Sequence, residues 1–340
     1  MNALRKRWAT MHLCKKFLLL FSLLVSSWAG NQACADVFDK LKEINVGGYS
    51  SARVQQNRHG KSEAALDEIS LIFTWDNQDR VKFFAEIELE NPLSWREGGA
   101  LRSNNSYLDV ERFYLDYAFS DQLNLRAGRF LTPIGRWNLL HAPPLVWTTS
   151  RPVATSRLFP MALNGLMLHG SKPFEDSFLE YSVFAETLKD QNVQSHELRF
   201  KNARGARLVN SGSIDIGATV MEFEEDDLFK REYRMLSLDF IKAHEGWEIS
   251  GEAFFRKSKH YNEDTGGAYL QGVAPLANKW FLIGRLESYK PTLQKSEERA
   301  VVGLAWRYKD NQIFKIEYVG GHQVDPYMPT GLMTSIAILF

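Results

Sequence analysis

The fold class predicted by this sequence is all-β: a closed, membrane-spanning antiparallel β-barrel of about sixteen strands. Three observations predict it. A leader for export stands at the N-terminus, apolar and polar residues alternate in segments of about ten, and the connections between segments switch strictly between tight and long.

The leader comes first. Arg5, Lys6, Arg7, Lys15 and Lys16 precede the apolar run Phe17 to Val25, and Ala33-Cys34-Ala35 places small residues where a signal peptidase cuts. Residues 1–35 are therefore expected to be removed, leaving a short periplasmic stub at 36–43 and a barrel within 36–340. The apolar run falls short of the roughly 20 residues that a spanning helix needs, and nothing later supplies one. Both cysteines, Cys14 and Cys34, leave with the leader, so neither a disulfide nor a cysteine-bound metal is expected in the barrel. The five leader cations leave too, which takes the net charge from zero to −5. A mean hydropathy of −0.30 is compatible with membrane insertion, because a barrel needs only alternate residues to be apolar.

The strands follow from period two. In Arg80 to Glu90, Val81, Phe83, Ala85, Ile87 and Leu89 share one face, and Lys82, Phe84, Glu86, Glu88 and Glu90 the other. The split recurs in Arg299 to Tyr308 and in Ile313 to Val319, and the chain ends on the alternating strand Thr334 to Phe340. Tight connections rich in Asn, Asp, Gly and Ser fall near 76–79, 120–122, 172–176, 210–213, 244–246, 277–279 and 309–312. Longer ones lie near 55–63, 91–106, 132–162, 188–195, 224–228, 257–266, 290–297 and 320–330, so seven tight and eight long connections join sixteen strands. The count drops to fourteen if weak segments such as Asn164 to Ser171 are not strands.

Short turns at one rim and long loops at the other are how barrels of the Gram-negative outer membrane are built, with the turns periplasmic. Hydrocarbon enforces closure, since each unpaired backbone group there costs several kcal/mol. The expected surroundings are outer-membrane lipid and lipopolysaccharide. A soluble β-sandwich would have to bury Glu86, Glu88, Arg199, Lys201, Glu248, Glu252, Arg285 and Glu287, whereas a watery lumen removes that cost. Trp75, Tyr107, Phe119, Trp247, Trp280, Tyr289 and Tyr308 at strand ends are candidates for interfacial girdles.

One segment stands apart in charge. Residues 122–174 hold no Asp or Glu, yet carry Arg126, Arg129, Arg136, Arg151, Arg157 and Lys172. The longest connection lies inside it and is the third long loop. Pro133, Pro143, Pro144, Pro152 and Pro160 stiffen this loop, and Trp137, Leu139, Leu140, Leu145, Val146, Trp147, Leu158, Phe159 and Met161 give it apolar surface to lay on a wall. Folded into the lumen, it would present Arg136, His141, Arg151 and Arg157 where a passage is narrowest, an arrangement that favours anions. The competing expectation is that these cations pair with wall carboxylates such as Glu86, Glu88, Glu90 or Glu180 and leave no net field.

The run Leu123-Asn124-Leu125-Arg126-Ala127-Gly128-Arg129-Phe130-Leu131-Thr132-Pro133-Ile134-Gly135-Arg136-Trp137-Asn138, a basic-Gly-x-aromatic strand leading into a Pro-x-Gly turn, resembles the phosphate-selective porin O and P family. The resemblance implies a sixteen-stranded trimeric porin with an inward third loop. Phosphate-selective members resemble one another in basic arrays along the lumen. Here Arg112, Arg126, Arg199 and Lys201 on the expected lumen wall are interleaved with acids such as Glu86 and Glu88.

Other signals are weaker. Glu224-Glu225-Asp226-Asp227 reads as a solvated loop tip or a site for divalent cations bridging to lipopolysaccharide. No zinc-protease helix pair, nucleophile elbow or phosphate-cradling glycine loop occurs, and His169 with Ser171 is the kind of pair a barrel hydrolase would need. The expectation is a passive diffusion channel for small hydrophilic solutes, leaning toward phosphate-like or organic anions, with no enzyme activity, cofactor or nucleic-acid partner. The alternatives are an uptake or export barrel for a siderophore, sugar acid or polyphosphate, and, behind it, a barrel-embedded hydrolase.

Overall fold

Alternating tight and long connections fold the chain into a meander of antiparallel hairpins. The computed structural model describes residues 44–58, 60–76, 79–188, 200–226, 230–260, 264–291, 296–321 and 330–340. Its elements in order are β1 (Asn45–Asn57), β2 (Ser62–Asp76), β3 (Val81–Arg96), β4 (Tyr107–Ser120), β5 (Leu123–Leu131), the one-turn helix α1 (Ala154–Arg157), β6 (Ala162–Pro173), β7 (Phe178–Leu188) and β8 (Phe200–Ser211). Then follow β9 (Asp215–Glu225), β10 (Glu232–His244), β11 (Trp247–Ser258), β12 (Asp264–Ala277), β13 (Trp280–Lys290), β14 (Glu297–Lys309), β15 (Gln312–Gly321) and β16 (Gly331–Leu339). Each strand pairs with its neighbours in sequence and β16 returns to β1, so one sheet of sixteen strands closes on itself. The segment whose weakness suggested fourteen is β6, paired on both sides. The leader and the stub lie outside the described residues, as do Arg199 and Asp227.

Closure depends on a glycine and on the terminal aromatic residue. Gly48 N–H donates to the Phe340 carbonyl and Phe340 N–H to that of Gly48, both at 2.8 Å. A Cβ on Gly48 would sit 2.1 Å from the Ser70 carbonyl oxygen and 3.0 Å from the Phe340 ring, so only glycine lets these strands meet. The two-residue turns Glu245-Gly246 and Asn278-Lys279 hold positive φ at both positions, which matches the twist of the strands they join.

The two faces separate as the period-two pattern predicts. Outward stand Leu236, Leu238, Phe255, Leu270, Leu286 and Val302, all exposed, while Ser237, Asp239, Glu252, Arg285 and Glu287 alternate with them inside. Aromatic residues gather beside the tight turns: Trp280 stacks on Trp306 at 5.4 Å, Tyr308 meets Trp306 edge-on, and Phe119 and Trp247 are exposed. Two girdle candidates point elsewhere. Tyr107 lines an inner cavity and Tyr289 packs on the inner apolar core. No helix among the described residues is long and apolar enough to cross a membrane.

Candidate functional site

The third long connection, residues 132–161, folds into the barrel, and its neck shows why. Thr132 N–H donates to the Met161 carbonyl at 2.9 Å, and the Asn138 side-chain amide donates to both the Thr132 and Met161 carbonyls. Gly135 turns the chain with φ of 60° at a point where a Cβ would lie 2.1 Å from a Glu252 carboxylate oxygen. Beyond the neck, Ile134, Leu158 and Phe159 join Phe130, Met167, Phe184, Met235 and Phe254 in an apolar core that fills part of the lumen. Trp147 packs on Phe281 at 4.8 Å. Leu140 and Leu145, expected to lie on the wall as well, stay exposed.

Wall carboxylates grip the loop's backbone. Glu252 on β11 accepts from Trp137 N–H at 2.6 Å, Glu287 on β13 from Val153 N–H at 2.9 Å, and Glu317 on β15 from Thr149 and Ser150 N–H at 2.9 and 2.7 Å. Glu248 accepts from the Trp147 indole at 3.0 Å. Cations on the same strands take the loop's carbonyls: Lys315 donates to Pro143 and Thr148, and Arg285 to Ser150. Charge-assisted bonds of this kind are about twice as strong as neutral ones. Within 132–161 the loop carries no acid of its own to repel these carboxylates. Sequence reasoning counted Glu248, Glu252 and Glu287 as inward charges but missed their role; the signal was the acid-free loop set against acids spaced along one wall.

The four candidate loop residues part company. Arg136 lies outside the cavity lining, 3.9 Å from Asp215 beside the tight β8–β9 turn. His141, Arg151 and Arg157 line the cavity together. His141 Nδ1 meets the Asn138 carbonyl at 3.1 Å, and Nε2 lies 3.4 Å from Glu111 on β4, a tie to the opposite wall. Arg151 donates to Thr155 Oγ1, the Thr155 carbonyl and Asn138 Oδ1; burial lowers its pKa to about 10, so it stays cationic at neutral pH.

The wall candidates are largely paired. Arg112 holds Glu86, which also accepts from Ser70, and Glu88 accepts from the Tyr49 hydroxyl. Arg126 grips Asp116 with two bonds of 2.8 Å. Lys201 departs from the expected position on the lumen wall. It stands opposite Glu224, on the outward face shared by exposed Val220, and bonds Glu224 and Asp226. The cause is a bulge: three residues of β8 span two of β9 between Lys201 and Arg204, with Asn202 at φ 56°, and one extra residue flips every side chain beyond it. His169 sits 3.6 Å from Asp116.

Between loop and wall lies a cavity of about 540 Å³. One side is acidic, with Asp67, Glu68, Glu88, Glu90, Asp109 and Glu111 from β2–β4; the other presents Trp137, Asn138, His141, Arg151 and Arg157. Glu186, Arg53, Arg129 and Lys315 also contribute, giving seven carboxylates against five Lys and Arg. Such an arrangement can orient a polar solute across the passage.

No family model matches the chain. It is 32% identical over 142 residues to an uncharacterized protein of Aquifex aeolicus (strain VF5), a match covering 41% of this chain and 31% of that protein. The chain thus spans about a third of that relative. Among solved structures it is similar to Salmonella typhi OmpF in complex with daunomycin (TM-score 0.62, 11% identity, covering 87% of this chain and 97% of that one). It is similar also to the anion-selective porin of Comamonas acidovorans (0.59, 11%, 87% and 98%) and to in-vitro folded Vibrio cholerae OmpT in its trimer form (0.56, 8%, 87% and 99%). The chain has the outer-membrane porin fold.

Proposed function

We propose that this porin-fold barrel is a passive outer-membrane diffusion channel for small hydrophilic solutes, exported with removal of residues 1–35 and assembled as a homotrimer. The observation that carries the reading is a closed barrel whose inward loop narrows the lumen to a passage lined by facing charges. No cofactor is needed, since solutes move down their gradients. The trimer rests on the likeness to the trimeric OmpT structure and on the phosphate-selective resemblance.

Selectivity follows from the whole lining rather than the loop alone. The loop's arginines argue for anions such as phosphate or organic acids. Against them, Arg136 is away from the cavity, Arg53 is spent on Asp67 at 3.1 Å, and Lys315 is spent on loop carbonyls. Setting aside Asp67 with Arg53 and Lys315 with its carbonyls leaves six carboxylates, Glu68, Glu88, Glu90, Asp109, Glu111 and Glu186, against Arg129, Arg151 and Arg157, which supports a weak cation preference. In planar bilayers under a KCl gradient, the reversal potential is expected to take the sign for K⁺, and Glu90→Gln with Asp109→Asn to move it toward the anion side. Anion preference in the unaltered protein would sink this assignment and restore the loop-arginine reading.

A solute-specific barrel is the second reading, favoured by one observation. Nearer the tight-turn rim, Phe84 and Tyr114 stack at 5.2 Å, with Arg112 over the first ring at 4.6 Å and Arg126 over the second at 3.7 Å. Such a column offers a planar acid or sugar acid two guanidinium edges, each shared with Glu86 or Asp116. It would give saturable block of conductance by the solute, where a general pore gives conductance nearly linear in salt.

A further inference from the structure

The inward loop is held from one side and touched from the other. Glu252, Glu287 and Glu317 grip it from β11, β13 and β15, and Thr149 Oγ1 lies 2.7 Å from Ser335 Oγ on β16. His141 reaches the other way across the cavity, to Glu111 on β4. A bulge makes this meeting possible. Val110, Glu111 and Arg112 of β4 stand against only Glu86 and Ile87 of β3, so the alternation of faces breaks there. Val110 and Phe113 on either side are exposed, while Glu111 lines the cavity and its neighbour Arg112 bonds the buried Glu86.

The two contacts of His141 cannot both be met by a neutral ring. A carbonyl oxygen only accepts, so Nδ1, 3.1 Å from the Asn138 carbonyl, carries a hydrogen. In the neutral imidazole Nε2 then holds a lone pair, and it faces a Glu111 carboxylate oxygen at 3.4 Å. Two acceptors do not bond. One proton added to the ring turns the same contact into a charge-assisted hydrogen bond between loop and wall. Burial holds the His141 pKa below the usual histidine value, and Arg151 on the loop and Arg112 on β4 push the same way, against Glu111 and the Asn138 carbonyl. The ring is therefore neutral at neutral pH and takes its proton in mild acid. Glu68 on β2, Glu88 and Glu90 on β3, Asp109 on β4, Arg129 on β5 and Lys315 on β15 share the cavity, and they stay the same in every variant below.

We infer that His141 and Glu111 form a proton-dependent strut across the lumen, which in mild acid ties the loop to the β4 wall and narrows the passage. Engaging it also adds one cation to the lining and pairs one of its carboxylates, so cation preference falls as the passage narrows. Its effect on flow rests on the channel reading; the proton-dependent contact itself does not.

The test uses full-length mature protein, refolded and reconstituted in planar bilayers, with conductance and reversal potential followed from about pH 7.5 to about pH 5. The parent is expected to lose conductance and cation preference over that range. His141→Gln and Glu111→Ala are expected to lose this histidine step and keep only the changes due to the other carboxylates. His141→Lys, cationic throughout, should show at neutral pH the conductance that the parent reaches in acid. Ring nitrogen NMR shifts, with the His141 signal assigned by its absence from His141→Gln, follow the proton without any current. Their midpoint should move to lower pH in Glu111→Ala, because the carboxylate that favours the cation is gone. A folded barrel that carries no current ends the channel reading and leaves the ring shifts to decide the contact. Superimposable pH profiles of parent and His141→Gln overturn the strut. So does conductance that rises through the histidine step, or a ring midpoint that Glu111→Ala leaves in place.

Discussion

Glu317→Ala is expected to raise single-channel conductance while leaving the barrel folded. Glu317 is 3% exposed and accepts from two consecutive loop amides, Thr149 and Ser150. Hydrogen bonds to a charged group contribute about 1.5–3 kcal/mol each, and a buried amide left without a partner costs about 1–3 kcal/mol. Losing both bonds removes roughly 3–6 kcal/mol of docking free energy, which lowers the docking equilibrium constant by more than a hundredfold. The neck at Thr132, Asn138 and Met161 is far from the change in sequence and stays closed. The expected result is therefore a loop swinging on an intact hinge, with larger and noisier conductance. Adding Glu287→Ala frees Val153 as well and should extend the effect. Unchanged conductance in the double variant would mean that the apolar core, and not the carboxylates, holds the loop.

Much of this was legible in the sequence because the barrel repeats one rule. Alternation at Ile313 to Val319 assigns Phe314 and Tyr318 to lipid and Lys315 and Glu317 to the interior, and burial agrees. The inward loop was legible for a related reason, since prolines and apolar residues without acids make poor solvated tips but good wall packing. What alternation cannot carry is its own interruption. At Asn202 one extra residue turns Lys201 from the lumen to the outer face, and nothing in the local pattern marks the slip. Partners distant in sequence are the other blind spot: Glu317 and Ser150, or Glu252 and Trp137, meet only because a thirty-residue loop crosses to β11–β15.

The largest loss of stability is expected from Arg285→Ala. Its side chain is fully buried and serves both partners at once, bonding Glu287 at 2.9 Å on its own strand and the Thr148 hydroxyl, Ser150 hydroxyl and Ser150 carbonyl on the loop. Removing it leaves Glu287, 5% exposed, as an uncompensated buried anion. Breaking a buried pair from one side costs about 3–5 kcal/mol, whereas replacing both partners with apolar groups is often nearly neutral. Glu287 complicates the second half of that rule, because it also holds Val153 N–H. Arg285→Met with Glu287→Met should thus recover part of the loss in urea-induced unfolding and still release the loop, raising conductance. Arg285→Lys separates charge from shape: an ammonium can keep Glu287 but cannot span the loop contacts that the guanidinium fork makes, so stability should return further than loop docking does. A single Arg285→Ala variant that unfolds at the parent's urea concentration would show that water reaches this pair and that the loop does not seal it.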